Sequence, residues 1–282
     1  MKRAHLEEKI FIGLMRAAFV FVVFGLIMIV LTVVVKGLPA LTWDMITQTP
    51  KGGFYLGKEG GILNAIVGSL YLAGGATLLA LMLSLPITLY LAIYARQSRW
   101  VPVVRLALDV LWGIPSIVYG AFGFIVMLAL GIRTSLLAGI LVLTLLELPI
   151  MVRAMDEVIR TMPSELAEAS YALGATRLET ALKVIVRQAL PGIVTAILLA
   201  FGRGIGDAAS VLFTAGYTDR LPDSLLRPAA SLPLAVFFQL GTAIPEVQQR
   251  AYASALILTA IVLIISLGSR WLARSLSKNV VK

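Results

Sequence analysis

The sequence predicts an all-α membrane protein, a polytopic helical bundle of six transmembrane helices. Three observations carry that expectation. Of the 282 residues, 59% are hydrophobic and 14% charged, far from a soluble domain, where about half are apolar and about a quarter charged. The mean hydropathy is +0.94. Uncharged stretches recur at 17–35, 60–95, 110–132, 134–146 and 251–269, and a helix crossing a bilayer needs about 20 apolar residues. A transmembrane barrel would instead alternate apolar and polar residues in segments of roughly ten, whereas Leu70 to Leu85 and Ala255 to Leu267 are apolar almost all round.

The spans are expected at 12–35, 62–95, 103–130, 134–158, 190–217 and 249–272. The first is not read as a signal peptide, because Ile10 to Val35 is longer than an ordinary signal core and GLPAL after Lys36 lacks a small-x-small cleavage pattern. With the glycine-rich loop that follows, KGGFYLGKEGG at 51–61, it makes an N-terminal unit over 1–61, ahead of a core over 62–282. Those glycines favour turns and do not cradle a phosphate, because no strand precedes them and no Gly-Lys-Ser/Thr follows. Between the fifth and sixth spans, Pro228 to Pro245 is uncharged but carries Pro228, Pro233 and Pro245. Such a helix would lose backbone hydrogen bonds that lipid cannot replace, so a non-spanning external segment is expected.

Charge then orients the bundle. With 24 Lys and Arg against 15 Asp and Glu, the excess of +9 is explained by topology and not by a nucleic-acid partner. Sixteen of the basic residues fall in the segments on one side and seven on the other, which puts both termini in the cytoplasm. No Cys is present and the single His5 sits in the charged tail, which excludes disulfides, thiol nucleophiles and clustered thiolate or imidazole metal sites. A membrane enzyme is disfavoured too, since G-x-S-x-G and H-E-x-x-H are absent.

The loop at 161–191, TMPSELAEASYALGATRLETALKVIVRQALP, is too polar to span and too periodic for an irregular loop. Two short helices are predicted. Pro163 suits a first helical position, and Glu165 and Glu168 favour the positive end of the helix dipole. Leu166, Ala169, Ala172 and Leu173 share one face, Gly174 interrupts, and Leu178, Ala181, Leu182 and Ile185 resume the period. Such a helix either lies on lipid or docks into a partner.

Ionisable residues inside spans are disfavoured by about 2.5 to 3.5 kcal/mol at the helix centre, which makes them functional candidates. Glu147, Arg153, Arg203 and Asp207 qualify. Arg203 lies within the fifth span among Gly202, Gly204 and Gly206, and Asp207 follows at helical spacing, so the two can pair on one face. This pair either packs the bundle or gates an anion path. Arg153 is open between a flanking charge paired with Asp156 or Glu157 and a pathway residue, and Glu147 between a partner for a cation on a neighbouring helix and simple proximity to a polar cavity.

These residues carry a resemblance. Glu168-Ala169-Ser170, then Gly174, with Val184-Ile185-Val186 and Pro191 downstream, resembles the EAA loop of ABC import permeases, which implies a coupling helix that inserts into a separate ATPase subunit. Ser170 and Arg187 stand where that family often has Ala and Pro. Together with WGIPSIVYGAFGF from Trp112, LPIMVRAMDEVIRTMP from Leu148 and GRGIGDAASVLFTAG from Gly202, the chain is similar to phosphate-specific ABC permeases, the PstA type more than the PstC type. The resemblance spans about residues 62–275, in order. Where that family commonly reads GETAP, this chain has Gly206-Asp207-Ala208-Ala209-Ser210.

The resemblance implies the type I importer permease fold and alternating-access import of inorganic phosphate across the bacterial inner membrane. It further implies a second permease subunit of the PstC type, two copies of a cytoplasmic ATPase holding ATP and Mg, and an external phosphate-binding protein. It associates Arg153 and Arg203 with phosphate passage. No cofactor is expected on this chain, whose sequence has no G-x-x-x-x-G-K-S/T segment. The alternatives are a permease for phosphonate, sulfate, molybdate or tungstate, and an ATP-independent secondary transporter or channel, which would leave the 161–191 loop unexplained.

Overall fold

A computed structural model describes residues 2–51 and 59–276 of the chain. The glycine-rich loop expected at 51–61 lies largely outside these residues, its described ends forming a two-residue antiparallel pair, β1 (Pro50–Lys51) with β2 (Glu59–Gly60). The N-terminal helix α1 (Lys2–Gly37) packs along the last helix, α11 (Pro245–Leu276), and most of its large apolar side chains between Ile10 and Val35 are exposed. A short helix, α2 (Trp43–Thr47), caps its own first turn, with Thr42 Oγ1 accepting from Met45 N at 3.3 Å.

The centre of the bundle is α6 (Leu136–Arg160), flanked by α3 (Leu63–Leu89), α4 (Val101–Gly113), α5 (Ser116–Ala129) and α9 (Val186–Ile205). Two apolar clusters are stacked along it. One gathers Leu72, Ala76, Ile140 and Leu143 with Val211 and Leu234. The other joins Ala80, Met151, Met155 and Ile159 to Ile185, Ala189 and Ile193. Small residues on α3 and α9, buried at Ala76, Ala80, Ala196 and Ala200, bring the helices close where lipid supplies no hydrophobic drive for association.

Among the described residues five helices are long and apolar enough to cross a membrane, and the remaining expected span, at 103–130, is not the single helix predicted. It is two helices, α4 and α5, meeting at 96°. The cause is local: Gly113-Ile114-Pro115 closes α4, and Pro115 both disfavours helix at Ile114, which is extended (φ −70°, ψ 130°), and has no N–H to continue the ladder. The fifth span also ends earlier than expected. The helix stops at Ile205, and residues 206–231 form an irregular segment folded back onto the start of α6.

That segment satisfies backbone groups that a helix end leaves open. Ser135, Leu136 and Leu137 donate their N–H groups to the carbonyls of Thr214, Arg227 and Leu225 at 2.9, 2.8 and 2.8 Å. Asn64 Nδ2 donates to Thr218 O at 2.6 Å and fastens the same segment to α3. The proline-rich stretch contains only the nine-residue helix α10 (Leu232–Leu240), buried on α3 and α11 and too short to span.

The 161–191 loop departs in one respect from the two separate helices expected. The first is present as α7 (Glu165–Ala172), with Pro163 just ahead of it instead of at its first position. The second, α8 (Arg177–Glu179), runs through a π-helical turn at Thr180–Ile185 directly into α9. Thr176 starts this continuous helix with a capping box closed by Glu179, so the loop contains one free-standing helix and the root of a span.

Candidate functional site

Arg203 stands in the last turn of α9, and Nη1 reaches Asp207 Oδ1 at 2.8 Å. The pairing expected within one span is therefore formed across the end of the helix. Asp207 is buried (3% side-chain exposure), and its second oxygen accepts from Ser210 N at 2.8 Å. Its carboxylate thus holds the arginine and the turn that ends the helix. Arg203 leaves 45% of its side chain exposed. A guanidinium so disposed inside a bundle is strongly disfavoured against lipid, and its open flank suits a polar path or a second protein surface.

Next to it, α9 approaches α6 through Gly204. A Cβ at this position would overlap Glu147 Oε1 and stand 3.0 Å from Glu147 Cδ. Any side chain there would have to displace the Glu147 carboxyl, whereas Gly202, on the other side of Arg203, has nothing within 4 Å. Glu147 is fully buried, and Oε2 accepts from Thr77 Oγ1 of α3 at 2.8 Å, while Oε1 has no hydrogen-bond partner. Of the two readings of Glu147, the cation partner is not found among the described residues. The partner is a hydroxyl, because the helix facing Glu147 presents Gly204 while Arg203 pairs with Asp207.

Arg153 lies six residues beyond Glu147 on α6, about 9 Å along the axis, so it belongs to a different level from Arg203. Its Nε is 3.2 Å from Asp109 Oδ1, and Nη1 is 4.0 Å from Asp156 Oδ2. Asp156, at 2% side-chain exposure, receives both prongs of Arg105, Nε at 2.8 Å and Nη2 at 2.9 Å. Two arginines and two aspartates thus alternate between α4 and α6. Sequence reasoning missed Asp109 and counted Arg105 only as a flanking charge. Asp109 lies inside the span expected at 103–130, and the rule that singled out Arg203 applies equally to it.

The residues of the loop motif form a compact unit. Glu168 is exposed near the start of α7, as is Ala169. Ser170 Oγ lies 2.9 Å from Thr180 Oγ1, a buried contact that ties α7 to the root of α9. A Ser at this position is therefore more than a small replacement for Ala. Gly174 has φ +84°, in the left-handed region where glycine carries no Cβ penalty, and lets the chain turn out of α7. Leu173 (89% exposed), Leu178 (58%) and Leu182 (51%) stay uncovered on this chain, an apolar surface suited to a partner.

Residues 84–282 match the family model described as the inner membrane component of binding-protein-dependent transport systems. The phosphate transport system permease protein PstA of Haemophilus influenzae is 33% identical over 265 residues, covering 94% of this chain and 93% of the relative. This chain belongs to the PstA-type family of ABC permeases. PstA 1 of Mycobacterium tuberculosis (strain ATCC 25618 / H37Rv) is 36% identical over 260 residues, covering 89% of this chain and 82% of the relative. The fold is that of a solved bacterial alginate ABC transporter in complex with its alginate-bound periplasmic protein, with a TM-score of 0.64 at 14% identity over 96% of each chain. The PstA-type resemblance read from the three sequence blocks and the permease fold class are both borne out.

Proposed function

We propose that this permease subunit imports inorganic phosphate, driven by ATP hydrolysis on a separate subunit. The single observation that carries the reading is Arg203, a guanidinium within the bundle, held by Asp207 on one side and open on the other. Its planar fork matches phosphate oxygens and remains charged when desolvated. Phosphate relatives along nearly the whole chain support this substrate. Arg153 supplies a second guanidinium at another level of α6, and its partly exposed pairing with Asp109 leaves it exchangeable. Glu147 contributes indirectly, by setting the height of α9 through Gly204.

In this reading the open flank of Arg203 meets a PstC-type second permease subunit, the two chains lining one path. The exposed Leu173, Leu178 and Leu182, with Glu168 and Ala169, dock into one of two cytoplasmic ATPase copies, where ATP and Mg are bound. An external binding protein delivers phosphate, and both termini lie in the cytoplasm. Residues 1–61 form a peripheral unit and 62–282 the transporting core, consistent with the exposure of α1.

The test is labelled-phosphate uptake by the assembled complex, comparing wild type with Arg203→Gln and Arg203→Lys after verifying normal assembly. Uptake is expected to collapse in Arg203→Gln and to recover only in part with Lys, which keeps the charge but not the fork. Unchanged uptake in Arg203→Gln would remove the arginine from the path. A wild type that moves sulfate, molybdate or phosphonate but not phosphate would retain the mechanism and replace the substrate.

A further inference from the structure

Behind α7 the fold leaves a cavity of about 500 Å³ that neither the Arg203 region nor the exposed leucines use. It lies where the π-helical turn Tyr90–Tyr94 after α3, the last turn of α6 and α7 converge. Four arginines line it, Arg96, Arg105, Arg160 and Arg177, with one carboxylate, Glu168. Arg105 is committed to Asp156 through both prongs. Arg96, Arg160 and Arg177 have no ion pair among the described residues.

Basic residues at one end of a membrane bundle are ordinarily a topological signal, spread around the rim. Here they converge on one hollow from three parts of the chain. With Glu168 and Asp156 set against the four arginines, an excess of two positive charges remains. The volume falls within the roughly 300 to 1,000 Å³ of small-molecule sites, and basic pockets between helices at the cytoplasmic side suit phosphate head groups. Tyr94, Met162, Tyr171 and Ile185 add apolar wall, which fits an ester or a lipid better than a bare hydrated ion.

We propose that this cavity binds a phosphate-bearing anion through Arg96, Arg160 and Arg177. The same chemistry is offered by an anionic lipid head group and by a soluble phosphate. Because α7 forms one wall, an occupant ties α7 to the ends of α3 and α6 and stiffens it. That consequence rests on reading α7 as the coupling helix, while the binding does not.

The test uses the full chain, purified in detergent with the subunits it assembles with and stripped of lipid. Cardiolipin is titrated by native mass spectrometry and inorganic phosphate by calorimetry, on wild type and on Arg96→Gln/Arg160→Gln/Arg177→Gln. Arg153 and Arg203 are intact in both proteins, so the difference reports this cavity alone. Binding of at least one probe is expected to weaken by tenfold or more in the triple variant, and not in Lys183→Gln, whose side chain lies outside the cavity. Loss of cardiolipin binding alone assigns the site to lipid, and loss of phosphate binding alone assigns it to a soluble anion. If the triple variant does not assemble, each single Arg→Gln variant is expected to weaken binding about threefold. Wild type that binds neither probe, or variants that bind both as tightly as wild type, would overturn the proposal.

Discussion

Replacing Gly204 by Ala isolates the contact that seats α9 on α6. The added methyl overlaps a buried carboxyl oxygen, and Glu147 cannot retreat without releasing Thr77 at 2.8 Å. Overpacking a close-packed site costs about 1–3 kcal/mol, and a buried polar group left without its partner about 1–3 kcal/mol. Against this, Ala is favoured over Gly inside a helix by about 1 kcal/mol. The net expectation is a loss of about 1–5 kcal/mol. Gly202→Ala provides the internal control, since the same substitution two residues away meets nothing within 4 Å and should be neutral or stabilising by up to about 1 kcal/mol. Denaturant unfolding of the purified complex, followed by helical circular dichroism, measures both. A third variant, Gly204→Ala with Glu147→Ala, should recover part of the loss because the clash is gone. Equal stability of Gly204→Ala and Gly202→Ala would refute the packing argument.

The remaining expectations concern the ion pairs and the loop. Asp156→Asn removes a nearly buried carboxylate that receives Arg105 bidentately and should destabilise by about 3 kcal/mol, whereas Asp109→Asn, at an exposed pair, should change stability by less than about 1 kcal/mol; unfolding of the two variants side by side checks this. Gly174→Ala forces a Cβ into the left-handed region and should lower stability by about 1–2 kcal/mol, measured in the same assay. Leu173→Glu, on a side chain 89% exposed, should leave stability within about 0.5 kcal/mol while abolishing copurification of an ATPase subunit and ATP-dependent uptake. Retained copurification would take Leu173 off the docking surface.

The helices were legible because their apolar runs are long and lipid imposes hydrogen-bonded helices on whatever spans it. Their breaks were less so. Pro115 lies in an uninterrupted apolar stretch, and hydropathy carries no information on a bend of 96°; the proline itself was the available signal. The early end of α9 at Ile205 was equally hidden, since residues 206–217 are mostly apolar yet fold back so that Thr214 O accepts from Ser135 N.

At the site, spacing alone was enough to pair Arg203 with Asp207, a local contact four residues apart. Glu147 was visible as a buried charge, but its neighbours Thr77 and Gly204 come from other helices and follow only from how those helices pack. The Arg105–Asp156 and Arg153–Asp109 pairs likewise join residues far apart in the chain. Motif spacing located α7, while the bond from Ser170 to Thr180 required the fold.

The most direct measurement of the whole account is uptake of labelled phosphate by proteoliposomes containing the assembled complex and its binding protein, with ATP present or absent on the ATPase side. Phosphate should accumulate against its gradient only with ATP, and excess unlabelled sulfate should not compete. Accumulation that proceeds equally without ATP would contradict the account, because α7 would then have no engine to couple.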